Sequence, residues 1–287
     1  MNNIDLIAEP WEDYELLDSG DNKKLERYGA FTVIRPETQA IWQPSRPVEW
    51  KKAQAEFSWN GGKGAWKNKG VPASWEMSWG DVRFTARLTS FKHTGIFPEQ
   101  AVNWAWLKKR VAALENPQVL NLFGYTGIAS IVGALGGAAV THIDASKQSN
   151  LWAKENAKLS GVPEGAMRVL LDDALRFAER EVRREHAYEG IILDPPAFGR
   201  GPEGEVWRIE EDIQKLLGAL AKLLAKKSGS FFLLNGYAAG YSPQSFLQAV
   251  EGFFPGEKSA EFGEIAVREG TSGRIVPSGI YLRFARN

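Results

Sequence analysis

The stretch from Gln118 to Ala145 constrains the fold of this chain more than any other. It opens with a short apolar run, Val119–Phe123, that has the length of a buried parallel strand. The turn Gly124–Gly127 and a predicted helix of small and apolar residues follow, and a second run, 139–143, ends on Asp144. This order predicts a βαβ unit in which the glycines let a ligand approach and the acidic residue accepts hydrogen bonds from ribose hydroxyls.

The glycine pattern of the turn discriminates between ligands. A dinucleotide fingerprint, G-x-G-x-x-G, lets a pyrophosphate approach the helix N-terminus. Here Asn121, Phe123 and Tyr125 stand in place of the leading glycines, so that only Gly124 and Gly127 remain. The pattern therefore favours S-adenosylmethionine, a nucleoside without phosphates, over NAD. A βαβ unit that binds no ligand is the third interpretation.

The composition is that of a folded globular protein, with 44% hydrophobic and 24% charged residues. The absence of cysteine excludes disulfides, thiolate metal sites and a cysteine nucleophile. The three histidines lack metal-ligand spacing, so no metal is expected. No apolar run could span a bilayer and the N-terminus lacks a signal-peptide pattern, so we expect a cytoplasmic protein without membrane contact. The 35 basic and 35 acidic residues argue against a broad positive field, but not against a local basic patch.

Residues 1–92 predict a small β-rich domain, followed by a second domain over 93–287. Runs such as 31–34 and 82–88 alternate with the period of half-buried strands. The stretch 41–70 has six basic and two acidic residues, with tryptophans between the lysines in Trp59–Gly70. Such aromatics can stack on unpaired bases while lysines meet phosphates, which makes RNA contact one hypothesis. We favour the alternative that the tryptophans pack a small core.

Strands and helices alternate over the rest of the chain. Apolar runs at 167–171, 190–193 and 231–234 predict three more strands, with helices between them. Ser146 is expected to cap the helix after Asp144, and Ser242 to open the last helix. This alternation predicts a Rossmann-like, doubly wound α/β sheet that binds its ligands at the carboxyl ends of the strands.

Three aspartates follow predicted strands. We expect Asp144 to bind ribose, Asp173 to accept a hydrogen bond from an adenine amino group, and Asp194 to lie beside the methyl group. Each could instead cap a helix, the role we favour for Asp172.

The segment Asp194-Pro195-Pro196-Ala197-Phe198 is the predicted catalytic loop. Consecutive prolines lack N–H donors and stiffen a loop, while their carbonyls stay free as acceptors. Asp194 and a proline carbonyl could accept hydrogen bonds from the amino group of a base on which Phe198 stacks. A rigid turn without catalytic role is the alternative. The next residues, 199–207, are expected to form a flexible, substrate-gating loop that carries Arg200.

Residues 91–287 resemble class I S-adenosylmethionine-dependent methyltransferases, and within them the bacterial 23S rRNA cytosine-5 methyltransferases. The matching segments are 94–100, 121–127, 142–146, 173–174 and 194–198. The resemblance implies a small β-rich domain before the catalytic one. It also implies that the donor-binding residues are Thr94, Phe97, Gln100, Asn121, Phe123, Gly124, Tyr125, Thr126, Gly127, Asp144, Ala145, Ser146, Asp173, Ala174 and Asp194.

One departure from that branch limits the chemistry. Cytosine-5 methylation needs a thiolate that attacks C6, and the family supplies it from cysteines after the fifth strand. The corresponding segment here, 232–240, has no cysteine, nor has the rest of the chain. Unless another nucleophile substitutes, N-methylation or a different acceptor is favoured.

The leading hypothesis is a methyltransferase that uses S-adenosylmethionine and acts on a nucleobase in RNA, with rRNA favoured by family analogy. The alternatives are a non-catalytic RNA-binding protein on the same fold and, less favoured, an NAD(P)-dependent oxidoreductase. A homodimer is left open.

Overall fold

The computed structural model describes residues 1–60, 62–237, 240–257 and 259–287. They form two compact units. The larger comprises Met1–Leu6, Asn103–Glu264 and Gly279–Asn287, and the smaller comprises Ile7–Val102 and Ile265–Ser278. The domain boundaries expected from the sequence, 1–92 and 93–287, stay a prediction.

The described residues form 18 strands and seven α-helices, with a 3-10 helix at Pro98–Gln100. The strands are β1 Asn2–Asn3, β2 Leu6–Ala8, β3 Tyr14–Gly20, β4 Lys23–Tyr28, β5 Phe31–Pro36, β6 Ala55–Asn60, β7 Lys63–Asn68, β8 Ser74–Trp79, β9 Val82–Arg87, β10 Gln118–Leu122, β11 Ala139–Asp144, β12 Met167–Leu171, β13 Gly190–Leu193, β14 Phe198–Arg200, β15 Val206–Arg208, β16 Phe231–Gly236, β17 Glu261–Arg268 and β18 Ile275–Ala285. The helices are α1 Pro47–Trp50, α2 Ala101–Ala112, α3 Ile128–Leu135, α4 Lys147–Leu159, α5 Ala174–Arg183, α6 Ile209–Leu223 and α7 Pro243–Glu251. Within the described ranges, no helix has both the length and the apolar content needed to cross a lipid bilayer.

The main sheet has the strand order β1-β17-β18-β16-β13-β10-β11-β12, and β2 also pairs with β17. Strand β10 pairs in parallel with β11 on one side and with β13 on the other. The chain thus winds outward from β10 to β12 and then returns to continue from β13 to β16 on the opposite side. In open α/β sheets this reversal marks the ligand-binding crevice. The topology confirms the predicted doubly wound sheet.

Apolar residues on helices and strands build the core of the larger unit. Leu120 on β10, Ile191 on β13 and Phe232 on β16 are fully buried in one cluster with Phe177 on α5 and Leu217 on α6. Burying a side chain of this size contributes about 1.5–3 kcal/mol. This cluster holds the central strands in place and so fixes the positions at which their carboxyl ends emerge.

Helix starts in this unit follow the expected capping residues. The Ser146 hydroxyl accepts a hydrogen bond from the main-chain N–H of Ser149 at 3.1 Å, which caps α4. Ser242 does the same for α7 through the N–H of Ser245. Both helices begin where the sequence predicts, because a cap acts locally and satisfies an N–H group that the helix leaves unpaired.

The smaller unit contains a five-stranded sheet, β3-β4-β5-β6-β7, and a two-stranded sheet, β8-β9. It confirms the β-rich N-terminal region. In the tryptophan–lysine stretch Trp59 is 56% exposed, so RNA contact through this stretch stays a hypothesis. In the β6–β7 register Trp66 lies opposite Phe57, whereas Lys67 occupies the other face, because side chains alternate along a strand. Trp66 packs on Phe57 and donates a hydrogen bond to Thr89 O at 2.8 Å, as the core-packing alternative expects. Gly61, within the tryptophan–lysine stretch, lies outside the described residues.

A buried ion pair lies inside the smaller unit. Glu26 is completely buried, and its carboxylate accepts hydrogen bonds from Arg35 Nε at 2.7 Å and Nη2 at 2.8 Å. The hydroxyls of Tyr14 and Tyr28 donate to the same carboxylate. Burial acts to raise the pKa of Glu26, but Arg35 and Lys24 outweigh it and lower the pKa from 4.5 to about 2.

We predict that Glu26→Gln lowers the free energy of unfolding by about 3–5 kcal/mol, because it leaves the Arg35 charge buried without a counterion. Urea denaturation at neutral pH measures this. The matched control is Glu56→Gln, whose partner Lys23 is 45% exposed, and it should cost less than about 1 kcal/mol. Since the folded-state pKa of Glu26 is lowered, its contribution is complete above pH 4.5 and is lost as the pH falls toward 2. Equal effects of the two substitutions would contradict the prediction.

Candidate functional site

The chain makes a strained turn as it leaves β10. Phe123 and Tyr125 adopt left-handed conformations with φ of 56° and 50°, and Gly127 has φ of 85°. The left-handed region costs a residue with a side chain about 1–2 kcal/mol. Such conformations persist only where surrounding structure imposes them, and they cluster at functional sites. No sequence motif indicates this strain.

The main-chain N–H groups of the turn are engaged within the protein. Gly124 N–H donates to Ile143 O at 3.0 Å, and Gly127 N–H donates to Gly124 O at 3.0 Å. Tyr125 N–H donates to the Asp144 carboxylate at 2.8 Å. These groups are not available to a pyrophosphate, which the nearby carboxylate would also repel. The geometry therefore favours a ligand without phosphates, in agreement with the glycine pattern.

The Asp144 carboxylate is held from two sides. Oδ2 accepts from Tyr125 N–H, and Oδ1 accepts from Ser146 N–H at 2.8 Å. Burial raises the pKa of the Asp144 carboxyl, although these two hydrogen bonds act in the opposite direction. An ionised carboxylate offers about four acceptor sites, so it can still accept from two ribose hydroxyls. These residues fit the adenosine part of S-adenosylmethionine.

Both turn glycines are also required by packing. A Cβ at Gly124 would lie 2.4 Å from the His142 ring, and one at Gly127 would lie 2.8 Å from Ala153 Cβ. Real Cβ atoms do not approach so closely. The turn is thus pressed against β11 and α4, a requirement that the sequence pattern alone does not reveal.

A buried polar network lies beneath the turn. Asn121 Nδ2 donates to Ser130 Oγ at 2.8 Å, and Ser130 Oγ lies 2.9 Å from His142 Nδ1. Burial lowers the pKa of His142 to about 4, so the ring is neutral near pH 7. On α4, Asn150 donates to Asp144 O at 2.9 Å, and Asn156 donates to Thr126 O at the same distance. Sequence reasoning missed Ser130, His142 and both of these asparagines, because no motif identifies residues that support a turn from other elements.

The two aspartates after β12 have different roles. Asp173 caps α5, since Oδ1 accepts from Arg176 N–H at 2.9 Å. Asp172 instead pairs with Arg180 Nη2 at 2.5 Å, so its predicted capping role is wrong. The cap falls on Asp173 because it directly precedes the first helical residue, Ala174. Asp173 Oδ2 has no partner among the described residues and could accept from an adenine amino group.

The Asp194 loop emerges beside the turn. In the register of the sheet, Leu122 lies between Ile143 and Leu193, so the residues that follow these three positions share one edge. Asp194 N–H points to Leu122 O at 3.4 Å. Phe123, Asp144 and Asp194 are therefore brought together at the carboxyl ends of adjacent strands.

The expectation that both proline carbonyls stay free is wrong for Pro196. Its carbonyl accepts a hydrogen bond from Trp207 Nε1 at 2.7 Å. Trp207 is buried, and its ring centroid lies 5.0 Å from that of Phe123. Trp207 thereby connects the Asp194 loop to the turn after β10.

The segment expected to be a flexible loop is instead an antiparallel hairpin formed by β14 and β15. Phe198 pairs with Arg208 in its register, and Arg176 on α5 forms ion pairs with Glu203 and Glu205 in the connection. Its ladder and these ion pairs give the segment a defined structure.

Three of the predicted donor-binding residues do not belong to the larger unit, which carries this edge of the sheet. Thr94, Phe97 and Gln100 belong to the smaller unit, and their place beside the donor stays a prediction. In the segment after the fifth predicted strand, Asn235 is buried and accepts from Asn103 Nδ2 at 2.9 Å. Ala238 and Ala239 of that segment lie outside the described residues. Among the residues that are described, no group of three or more acidic or histidine side chains is arranged to hold a metal ion.

Comparison of the sequence with models of known protein families identifies the family of this chain. Residues 58–250 match the model of the S-adenosylmethionine-dependent methyltransferase family. The chain belongs to this family. S-adenosylmethionine is accordingly its methyl donor.

Curated relatives cover part of the chain. The ribosomal RNA large subunit methyltransferase K/L of Shewanella frigidimarina is 34% identical over 156 residues, which are 54% of this chain and 21% of that protein. The protein of the same name from Pseudoalteromonas atlantica is 34% identical over 145 residues, 50% of this chain and 20% of that protein. The chain therefore matches only about a fifth of the length of these relatives.

Solved structures share the whole fold. The crystal structure of a SAM-dependent methyltransferase from Agrobacterium tumefaciens superposes with a TM-score of 0.95 at 37% identity, covering 99% of this chain and 94% of that one. A structure described as a methyltransferase complexed with SAH has a TM-score of 0.71 at 19% identity and covers 95% and 75%. The second likeness shows the fold alone.

We predict that Gly127→Ala lowers affinity for S-adenosylhomocysteine at least about tenfold, because the new Cβ collides with Ala153 and displaces the turn. The matched control is Gly165→Ala, which has a similar φ of 80° but no atom within 4 Å of its Cβ. Both substitutions incur the left-handed backbone cost, so only the collision differs. Calorimetric titration that finds equal affinities in the two variants would overturn this reading of the turn.

We predict that Asp144→Asn lowers the affinity for S-adenosylhomocysteine roughly 10–100-fold in the same titration. The amide of asparagine cannot accept hydrogen bonds from both N–H groups and from ribose. Wild-type affinity should also fall as the pH is lowered through the raised pKa of Asp144, because only the ionised form accepts at both oxygens. The asparagine variant should lack this pH dependence. Asp172→Asn, on the same edge but paired with Arg180, is the control and should bind normally.

Proposed function

We propose that this protein transfers the methyl group of S-adenosylmethionine to a nitrogen of a nucleobase in RNA, with rRNA as the favoured substrate. The observation that carries the proposal is the connection of two loops at one sheet edge. Phe123 in the turn contacts Trp207, and Trp207 binds the Pro196 carbonyl of the Asp194 loop. Direct methyl transfer requires the donor and the acceptor to lie side by side, and two loops joined at one sheet edge would place them so.

S-adenosylmethionine supplies an electrophilic methyl group on its sulfonium. The chain's own residues have separate tasks around it. Asp144 would hold the ribose and Asp173 the adenine amino group. In the Asp194 loop, the Asp194 carboxylate and the Pro195 carbonyl would accept hydrogen bonds from the acceptor nitrogen and so orient its lone pair. Asp194 can also accept the proton that an amino nitrogen loses after methylation.

Nitrogen is favoured over carbon as the acceptor atom. A pyrimidine C5 becomes nucleophilic only after a nucleophile adds to C6, and the chain has no cysteine for this step. Neither an amino nor a ring nitrogen needs covalent activation: an amino nitrogen needs orientation and the loss of a proton, and a ring nitrogen with a free lone pair needs orientation alone.

RNA is the substrate class that the relatives support. Two of them carry the name ribosomal RNA large subunit methyltransferase K/L. The alternative, a non-catalytic RNA-binding protein, predicts no methyl transfer to RNA, and the methylation assay described below distinguishes the two. The oxidoreductase alternative is disfavoured by the occupied N–H groups of the turn.

The test uses the full chain with isotope-labelled S-adenosylmethionine and unmodified ribosomal RNA, followed by mass spectrometry of the nucleosides. We expect label in an N-methylated nucleoside, and Asp194→Asn should lower the rate at least about 100-fold. Asp172→Asn serves as the control, since its side chain pairs with Arg180 at the same edge. Label in a C5-methylated pyrimidine would refute the assignment to nitrogen. No label in any RNA, with donor binding intact, would refute the proposed substrate.

A further inference from the structure

The outer face of the β14–β15 hairpin has a composition that donor binding does not explain. Phe198, Arg200, Val206 and Arg208 share this face, because the register pairs Phe198 with Arg208 and Arg200 with Val206. We call these four residues the hairpin face. Phe198 is 50% exposed and Val206 is 48% exposed. The guanidinium carbons of Arg208 and Arg200 lie 5.5 Å and 6.0 Å from the centroid of the Phe198 ring.

The opposite side of the hairpin is fixed. Trp207 is only 3% exposed and donates to the Pro196 carbonyl. Ile209 N–H donates to Ala197 O at 3.1 Å, and Gly201 N–H donates to Glu205 O at 2.8 Å. The hairpin face is therefore held in a constant position relative to the Asp194 loop, which a gating loop would not be.

Two positive side chains, Arg200 and Arg208, lie on the hairpin face itself. The acidic residues in the connection, Glu203 and Glu205, are both paired with Arg176 on α5. Arg208 has Glu211 at 3.7 Å, a distance beyond a hydrogen bond, and both side chains are more than half exposed. Such an exposed pair holds its partners weakly. Arg200 has no ion pair among the residues that the structure describes.

We propose that the hairpin face binds one unpaired nucleotide of the RNA substrate, with the base stacked on Phe198 and the adjoining phosphates on Arg200 and Arg208. The proposal rests on the proposed function and names the contact by which that RNA is held. Aromatic rings stack on bases of any sequence, and one guanidinium group can bind two oxygens of a phosphate at once. A single strand is favoured over a duplex, because the bases of an A-form helix are stacked on each other and cannot reach an aromatic side chain. The alternative ligand, an acidic protein segment, would pair with the arginines but would leave the exposed Phe198 ring without a partner.

Fluorescence anisotropy of a labelled single-stranded RNA of about 12 nucleotides tests this, with saturating S-adenosylhomocysteine and a series of salt concentrations. Removing both arginines, in Arg200→Ala/Arg208→Ala, should lower the slope of log affinity against log salt by about 1.4, since each phosphate contact on a single strand contributes about 0.7. Phe198→Ala should weaken binding about tenfold without changing the slope, and Phe198→Tyr should restore it.

The control variant is Arg183→Ala. Arg183 is exposed in the last turn of α5, and a helix that follows a parallel strand ends at the opposite edge of the sheet. Neither its affinity nor its salt slope should differ from wild type. Thermal unfolding of each variant checks folding, and the conservative Arg200→Lys variant retains the charge if the alanine variant is unstable.

The two proposals fail separately. An unchanged salt slope in the double variant, or unchanged affinity in Phe198→Ala, overturns the hairpin face as the RNA contact even if RNA is methylated. If the wild type binds the oligonucleotide through these residues but methylates no RNA, the hairpin face stands and the proposed function falls. Competition by polyglutamate as strong as that by unlabelled RNA, with no effect of Phe198→Ala, would assign the face to an acidic protein and overturn the proposal.

Discussion

The geometry of the turn after β10 depends on one interaction, the hydrogen bonds from two main-chain N–H groups to the Asp144 carboxylate. Hydrogen bonds to a charged group are worth about 1.5–3 kcal/mol each. That is enough to offset the left-handed conformations of Phe123 and Tyr125, at about 1–2 kcal/mol each. The same carboxylate repels phosphate and can still accept from ribose. A single, partly buried charge therefore shapes the turn and disfavours a phosphate beside it.

A second long-range contact determines what happens beside that turn. Trp207 packs on Phe123 and donates a hydrogen bond to the Pro196 carbonyl, so the turn after β10 and the Asp194 loop share a buried support. The Pro196 carbonyl is therefore not available to an acceptor base. It also fixes the hairpin whose outer face presents Phe198 between two arginines. One indole ring thus connects the turn after β10, the Asp194 loop and the hairpin.

Membership of the methyltransferase family defines the donor but not the acceptor atom. The same sheet and turn serve many acceptors, because the acceptor is chosen by groups on loops at the sheet edge. Here the composition decides more than the fold does. Without a cysteine, the cysteine-dependent attack on a pyrimidine is excluded, which favours the proposed orientation of a nitrogen by the Asp194 loop.

The amino-acid sequence by itself determined the doubly wound sheet, the bounds of β12 and β13 and the caps Ser146 and Ser242. These features depend on periodicity and capping, which act over a few neighbouring residues. Only the tertiary structure decided that Asp173 and not Asp172 caps α5, that residues 198–208 form a hairpin, and that Gly124 must be glycine to clear His142. Each of these depends on which distant side chain lies alongside. No local pattern encodes that, because it follows from how the strands order themselves in the sheet.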